Sequence, residues 1–288
     1  MNTTKFAGVF VATITPYDAR GAVDAAAARA LTQYLVGNGV HGICPVGTTG
    51  EFPLLTREEK ALAGRAACEG AAGRVPVVAG AWGATADERI WLAKQAEAAG
   101  ASAIFLTVPY FFASPPAYLL EWYRGVRRAV SLPLLAYNIP QCTANEIPLD
   151  VLDTLAAEGT IQGYKDSSHD PGRLEAIVKL LKGRIAVFGG SEGLFARSRE
   201  LGTDGVISGA ANVYPKTVLA VWQGDRAAVD RLARIKTGLQ KHGTFASLKY
   251  VLTLRGMAVG TTREPIAPVS DAGKRDLEAL EKEFGKDL

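Results

Sequence analysis

Short apolar runs recur along the chain, each followed by a stretch in which hydrophobic positions return every three or four residues. The runs Val9–Ile14, Val75–Ala79, Leu132–Tyr137, Ile161–Lys165 and Ile185–Phe188 have the length and content of buried strands. Three more sit in a repeated pattern. Val36–Val46, Ala98–Leu106 and Glu200–Ser208 each close a helix with Gly, turn tightly and enter an apolar strand. Amphipathic stretches such as Asp87–Ala99 and Pro171–Leu181 lie between the strands.

The strands begin roughly 20–35 residues apart, the size of a βα unit. Eight such units in series predict an α/β fold of the (β/α)8, or TIM-barrel, type. A doubly wound sheet is the competitor, but no G-x-G-x-x-G follows the first strand. After Ser208 the alternation stops. Pro215–Trp222, Arg226–Lys241, Phe245–Met257 and Asp271–Phe284 all read as helices. The first would complete the barrel and the others would form a C-terminal helical extension. The expected division is a barrel over residues 1–224 and an extension over 225–288.

Composition adds exclusions. The chain has 288 residues, 48% of them hydrophobic and 21% charged, which is ordinary for a globular protein. A net charge of +3, spread along the chain, does not suggest a nucleic-acid partner. Cys44, Cys68 and Cys142 are widely spaced, and His41, His169 and His242 show no metal-ligand spacing. Met1–Lys5 lead into the first strand without a signal-peptide pattern, and no apolar stretch is long enough to span a membrane. A reducing, cytoplasmic setting is the expectation, with neither metal nor cofactor suggested.

In a barrel of this kind, functional groups lie at the C-terminal ends of the strands. There the sequence places Gly47-Thr48-Thr49-Gly50-Glu51, Pro109-Tyr110-Phe111, Tyr137-Asn138-Ile139-Pro140, Lys165-Asp166-Ser167-Ser168, Gly189-Gly190-Ser191-Glu192 and Ser208-Gly209-Ala210. Lys165 ends a buried strand, where an ammonium is costly unless paired or deprotonated. A neutral lysine attacks carbonyls, a tyrosine moves protons, and hydroxyl and N–H groups hold carboxylates. Plainer readings also fit. Lys165 beside Asp166 is the pattern of a structural ion pair, Tyr137 that of a core tyrosine, and Thr48 and Thr49 that of caps for a helix starting after Glu51.

The motifs G-T-T-G-E at 47–51, Y-N-I-P at 137–140 and G-Y-K-D-S-S at 163–168 resemble the dihydrodipicolinate synthase/N-acetylneuraminate lyase family, and the resemblance covers nearly the whole chain. It implies a homotetramer and class I aldolase chemistry without metal. Lys165 would form a Schiff base with pyruvate or another 2-oxo acid. Tyr137 would shuttle protons, its hydroxyl near that of Thr48 or Thr49, and both threonines would grip the carboxylate. Tyr110 would stand at the subunit boundary near the site. The enamine at C3 would add to an aldehyde, or form when a C3–C4 bond breaks.

The chain departs from the synthases of this family at two places. Cys142 stands where a carboxylate-binding arginine is usual, and no Lys or Arg occurs from Asn138 to Leu149. Phe111 stands where a second tyrosine is usual. The lyases and sugar-acid aldolases bind a polyhydroxylated tail after strands 7 and 8, where this chain has Gly189, Ser191, Glu192 and Ser208. Glu192 matches their polyol-binding acid, whereas Ser191 replaces the acid beside it. The resemblance therefore points first to an aldolase or lyase of a 2-keto-3-deoxy sugar acid, giving pyruvate and an aldehyde. A dihydrodipicolinate synthase, an N-acetylneuraminate lyase and a sugar-acid dehydratase are the alternatives. A non-catalytic 2-oxo acid sensor is a further one, disfavoured by the intact lysine, tyrosine and threonines.

Overall fold

The structure is a computed structural model that describes residues 6–285; Met1–Lys5, on which the signal-peptide reading rested, lie outside them. Eight strands alternate with helices: β1 (Gly8–Ala12), β2 (Gly42–Cys44), β3 (Val78–Gly80), β4 (Ala103–Thr107), β5 (Leu134–Asn138), β6 (Gly163–Asp166), β7 (Ala186–Gly189) and β8 (Gly205–Ser208). All pair in parallel, in the order β2-β1-β8-β7-β6-β5-β4-β3. The ends of that sheet meet, because Ile43 bridges Val77 in parallel and the Gly80 N–H donates to Pro45 O at 3.1 Å. The result is the TIM barrel that the spacing predicted.

Around it run α1 (Ala25–Gly37), α2 (Arg57–Ala71), α3 (Ala86–Ala98), α4 (Pro116–Arg127), the short α5 (Pro140–Thr143), α6 (Leu149–Ala157), α7 (Pro171–Leu181), α8 (Phe195–Leu201) and α9 (Pro215–Gln223). Three further helices follow: α10 (Arg226–Lys241), α11 (Thr244–Leu254) and α12 (Asp271–Phe284). Among the described residues no helix is long and apolar enough to cross a membrane.

Every strand is buried along its length, as expected where a parallel sheet is covered on both faces. Phe10, Phe105 and Phe188 fill the barrel with Trp82 and Tyr137. Val9 and Val11 point the other way, into an apolar layer with Leu31 of α1, Val218 of α9, Ile235 of α10, Leu248 of α11 and Leu277 of α12. The C-terminal helices thus share a core with β1 and β8.

Where element boundaries moved, the chain chemistry explains it. Pro76 has no N–H to donate, so the third strand begins at Val78 instead of Val75. Helix α2 starts at Arg57, not after Glu51. Thr56 caps it by accepting from Glu59 N–H, and Glu59 returns a bond to Thr56 N–H. Such a capping box is worth about 1 kcal/mol. Thr48 and Thr49 are therefore not helix caps; one 3₁₀ turn, Phe52–Leu54, separates them from α2.

Candidate active site

Strands β5 and β6 pair in register, with Tyr137 opposite Lys165. Neighbouring residues in such a ladder project to the same face, here the barrel interior. The Lys165 Nζ lies 4.0 Å from the centre of the Tyr137 ring. Both are nearly inaccessible, at 5% and 2% exposed. Among the described residues Lys165 has no ion pair and no hydrogen bond. Its neighbour Asp166, one step along the strand, points the other way. There the carboxylate accepts from the Tyr164 hydroxyl at 2.9 Å, Asn138 Nδ2 at 3.2 Å and the Ser168 hydroxyl at 2.5 Å, and pairs with Arg173 at 3.4 Å. The ion-pair reading of Lys165 fails for this reason: strand alternation hands Asp166 to Arg173 and leaves the amine inside, against an aromatic face.

The floor beneath the amine is apolar. Phe188 is the register partner of Lys165 on β7, and its ring meets Phe10 edge-on at 5.0 Å. Trp82 meets Phe105 at 4.6 Å and Tyr137 at 5.9 Å. Cys44 is also buried there. Burial pushes its thiol up to about 12 and the Lys165 charge opposes that shift, so it stays protonated and inert at neutral pH.

The Gly47–Gly50 turn follows Val46, whose φ of 60° is left-handed. For a β-branched residue that is strained, by about 1–3 kcal/mol. The Trp82 indole N–H donates to Val46 O and helps to hold it. Within the turn, Gly50 N–H donates to Gly47 O and Glu51 N–H to Thr48 O, both at 3.0 Å. The Thr48 hydroxyl is buried and has no hydrogen-bond partner among the described residues. Thr49 leans toward β8: a Cβ on Gly209 would lie 3.4 Å from Thr49 Oγ1 and 3.8 Å from Glu192 Oε1. No hydrogen bond joins the Tyr137 hydroxyl to either threonine among the described residues.

Beyond β7 and β8, Glu192 Oε1 accepts from the Ser208 hydroxyl at 2.9 Å and from Ala210 N–H at 2.6 Å. Glu192 Oε2 has no such partner among the described residues. The buried Ser191 hydroxyl is also without one. Gly189 faces outward, since a Cβ there would strike Ser198 on α8. Tyr110 is half-buried, its ring edge-on to Phe52 at 6.2 Å, and burial raises its phenol. Among the described residues no group of three His, Cys, Asp or Glu side chains is placed to hold a metal ion.

The Dihydrodipicolinate synthetase family matches residues 5–283 of this sequence. The 4-hydroxy-tetrahydrodipicolinate synthase of Phenylobacterium zucineum is 35% identical, over 97% of this chain and 98% of its own. The chain belongs to the dihydrodipicolinate synthetase family. Among solved structures, the dihydrodipicolinate synthase of Aquifex aeolicus superposes with a TM-score of 0.91 at 32% identity, covering 98% of this chain and 99% of its own. YagE, a prophage protein of E. coli K12 solved with pyruvate, superposes at 0.90 with 29% identity, over 97% and 99%. Members of this family are lyases, class I aldolases that work through a Schiff base with pyruvate, and this chain is an enzyme of that class.

Against the dihydrodipicolinate synthetase pattern, Cys142 lies exposed on α5 and offers no cation to the mouth of the barrel. Gly190 also packs on the lysine, and Ser167 packs on Gly190. A Cβ at Gly190 would sit 2.7 Å from Lys165 Cε and closer still to Ser167 Oγ. The Ser167 hydroxyl is buried without a partner among the described residues. Spacing carries a signal for Ser167, two residues past Lys165 and so on the same strand face. For Gly190 the only hint is the Gly-Gly pair that ends β7.

Proposed function

We propose that this aldolase forms its imine on Lys165 and cleaves a 2-keto-3-deoxy sugar acid to pyruvate and an aldehyde. The observation that carries the imine assignment is the buried Lys165 amine, unpaired with any acid among the described residues and 4.0 Å from the Tyr137 ring centre. The amine adds to the C2 carbonyl and water leaves. Tyr137 supplies the proton with which that water leaves, and as the tyrosinate it takes the proton of the C4 hydroxyl while the iminium draws electrons from the C3–C4 bond. The aldehyde departs, the enamine is protonated at C3, and hydrolysis frees pyruvate and Lys165. Thr48 and Thr49 grip the carboxylate, which gives the unpartnered Thr48 hydroxyl a ligand to bond.

Glu192 supports a polyhydroxylated tail. Its Oε2 is available to accept from sugar hydroxyls, while its Oε1 is held by Ser208. A carboxylate there repels an acceptor that itself ends in carboxylate, and no arginine at position 142 compensates. Phe111 and Phe112, 80% and 74% exposed beside Tyr110, fit burial against further copies in a homotetramer.

A second reading, condensation of pyruvate with aspartate semialdehyde, is favoured by the relatives of more than 30% identity named as synthases. The deciding experiment measures pyruvate release from 2-keto-3-deoxy hexonates and pentonates and from sialic acid, beside condensation with aspartate semialdehyde. Condensation faster than every cleavage would overturn the sugar-acid assignment. Borohydride reduction with pyruvate should add a pyruvate-derived mass to the Lys165 peptide; an adduct elsewhere would overturn the imine assignment.

A further inference from the structure

A second buried lysine lies outside the imine chemistry. Lys249, on α11, is 1% exposed, and its Nζ is 2.6 Å from Glu51 Oε1. Glu51 closes the Gly47–Gly50 turn, and its side chain is fully buried. The other Glu51 oxygen accepts from Arg263 N–H at 3.1 Å. Lys249 also donates to Thr261 O at 3.0 Å and lies 3.8 Å from the centre of the Tyr17 ring. Arg263 is itself fixed, by a salt bridge to Glu59 and by donating to Leu54 O at 2.9 Å.

This arrangement is expensive as a simple tether. Desolvation pushes the Lys249 ammonium down to about 8 even though the Glu51 carboxylate opposes the shift. Well-packed apolar residues would join α11 to the barrel without that penalty. The pair does something that apolar packing does not: it fixes the direction of one carboxylate. Glu51 has left-handed backbone, φ 58° and ψ 32°, and its N–H closes the turn onto Thr48 O. Its side chain and its peptide therefore cannot move independently, and the turn that presents Thr48 and Thr49 moves with them.

We propose that Glu51, Lys249 and Arg263 are positioning residues, through which the C-terminal helices set the Thr48–Thr49 turn and hence its grip on the 2-oxo acid carboxylate. The inference rests on the assignment of that turn to the carboxylate. It separates pyruvate affinity, set by the turn, from the reactivity of Lys165, which stands on β6.

The test compares wild type with Lys249→Gln, with Lys249→Arg as the charge-conserving variant and with the double variant Glu51→Gln/Lys249→Gln in case the single one does not fold. Pyruvate-dependent borohydride trapping gives a half-saturating concentration and a limiting rate. Folded Lys249→Gln should need about tenfold more pyruvate, the effect of losing one buried ion pair behind the turn, with its limiting rate nearly unchanged. Lys249→Arg should recover part of that loss. Hydrogen exchange of the amides of residues 47–52, measured without ligand, should speed up in Lys249→Gln. Unchanged exchange overturns the clamp, as does a loss confined to the limiting rate. Absence of any adduct on wild type overturns the imine assignment instead, and the exchange result then decides the clamp by itself.

Discussion

Adding one methyl group at Gly190 should slow imine formation without touching a reacting atom. A Cβ there would lie 2.7 Å from Lys165 Cε and 2.9 Å from Asp166 O, with Ser167 Oγ closer still. The Ser167 hydroxyl has no partner among the described residues to hold it and can swing away. The Asp166 carbonyl cannot, because it accepts Gly190 N–H at 2.6 Å within the barrel ladder. The strain therefore falls on the lysine. Restoring a contact of about 3.5 Å requires Cε to retreat by about 0.8 Å, which carries Nζ about as far. A misplacement near 1 Å costs about 10²-fold in rate, whereas overpacking costs about 1–3 kcal/mol in stability. The assay is the initial rate of pyruvate trapping by borohydride for Gly190→Ala, beside a melting curve. Gly125→Ala is the control: in α4 a Cβ there would meet Arg128 Nη2 at 3.9 Å, an ordinary van der Waals distance, so that change should be neutral or stabilise by about 1 kcal/mol. Trapping by Gly190→Ala within about twofold of wild type would refute the reasoning, since a barrier change under 0.5 kcal/mol, about what twofold means, leaves no room for a displaced amine.

Three further outcomes follow from the geometry. Tyr137→Phe keeps the ring against Lys165 but removes the hydroxyl, so cleavage should fall by about 10²–10⁴-fold while melting changes little; an unaffected rate would remove Tyr137 from proton transfer. Thr48→Val removes a buried hydroxyl without a partner among the described residues, so stability should hold or rise while the half-saturating pyruvate increases, and a clear loss of stability would show a structural bond instead. The Arg263 guanidinium holds the Glu59 carboxyl below its usual range, against the opposing effect of desolvation. The stability it contributes is present above the unfolded value of about 4.3 and is lost as pH falls through the lower folded value. Glu59→Gln should flatten the acid limb of a urea-denaturation series in that window, and identical limbs would refute the assignment.

Strand spacing and polar run-ends carried the barrel, because a buried parallel strand needs a short apolar run and its loops carry the polar groups. The same spacing put Lys165, Tyr137 and Thr48-Thr49 at one end of it. What adjacency in sequence could not decide was which neighbours meet. Lys165 and Asp166 are consecutive yet face opposite sides of β6, and it is Arg173, Tyr164 and Ser168 that surround the carboxylate. Thr48 and Thr49 resembled caps because capping residues and turn residues are the same types.

By itself the sequence determined the fold class, the family and the lysine, since each is written in local pattern: apolar periodicity, three short motifs and one cation at a strand end. Tertiary structure decided what surrounds them. Glu51 meets Lys249 across 198 residues of chain, and Gly190 bears on Lys165 from the next strand. Contacts of that kind depend on how β6, β7 and α11 come to lie side by side, which is a property of barrel closure and not of any stretch of sequence.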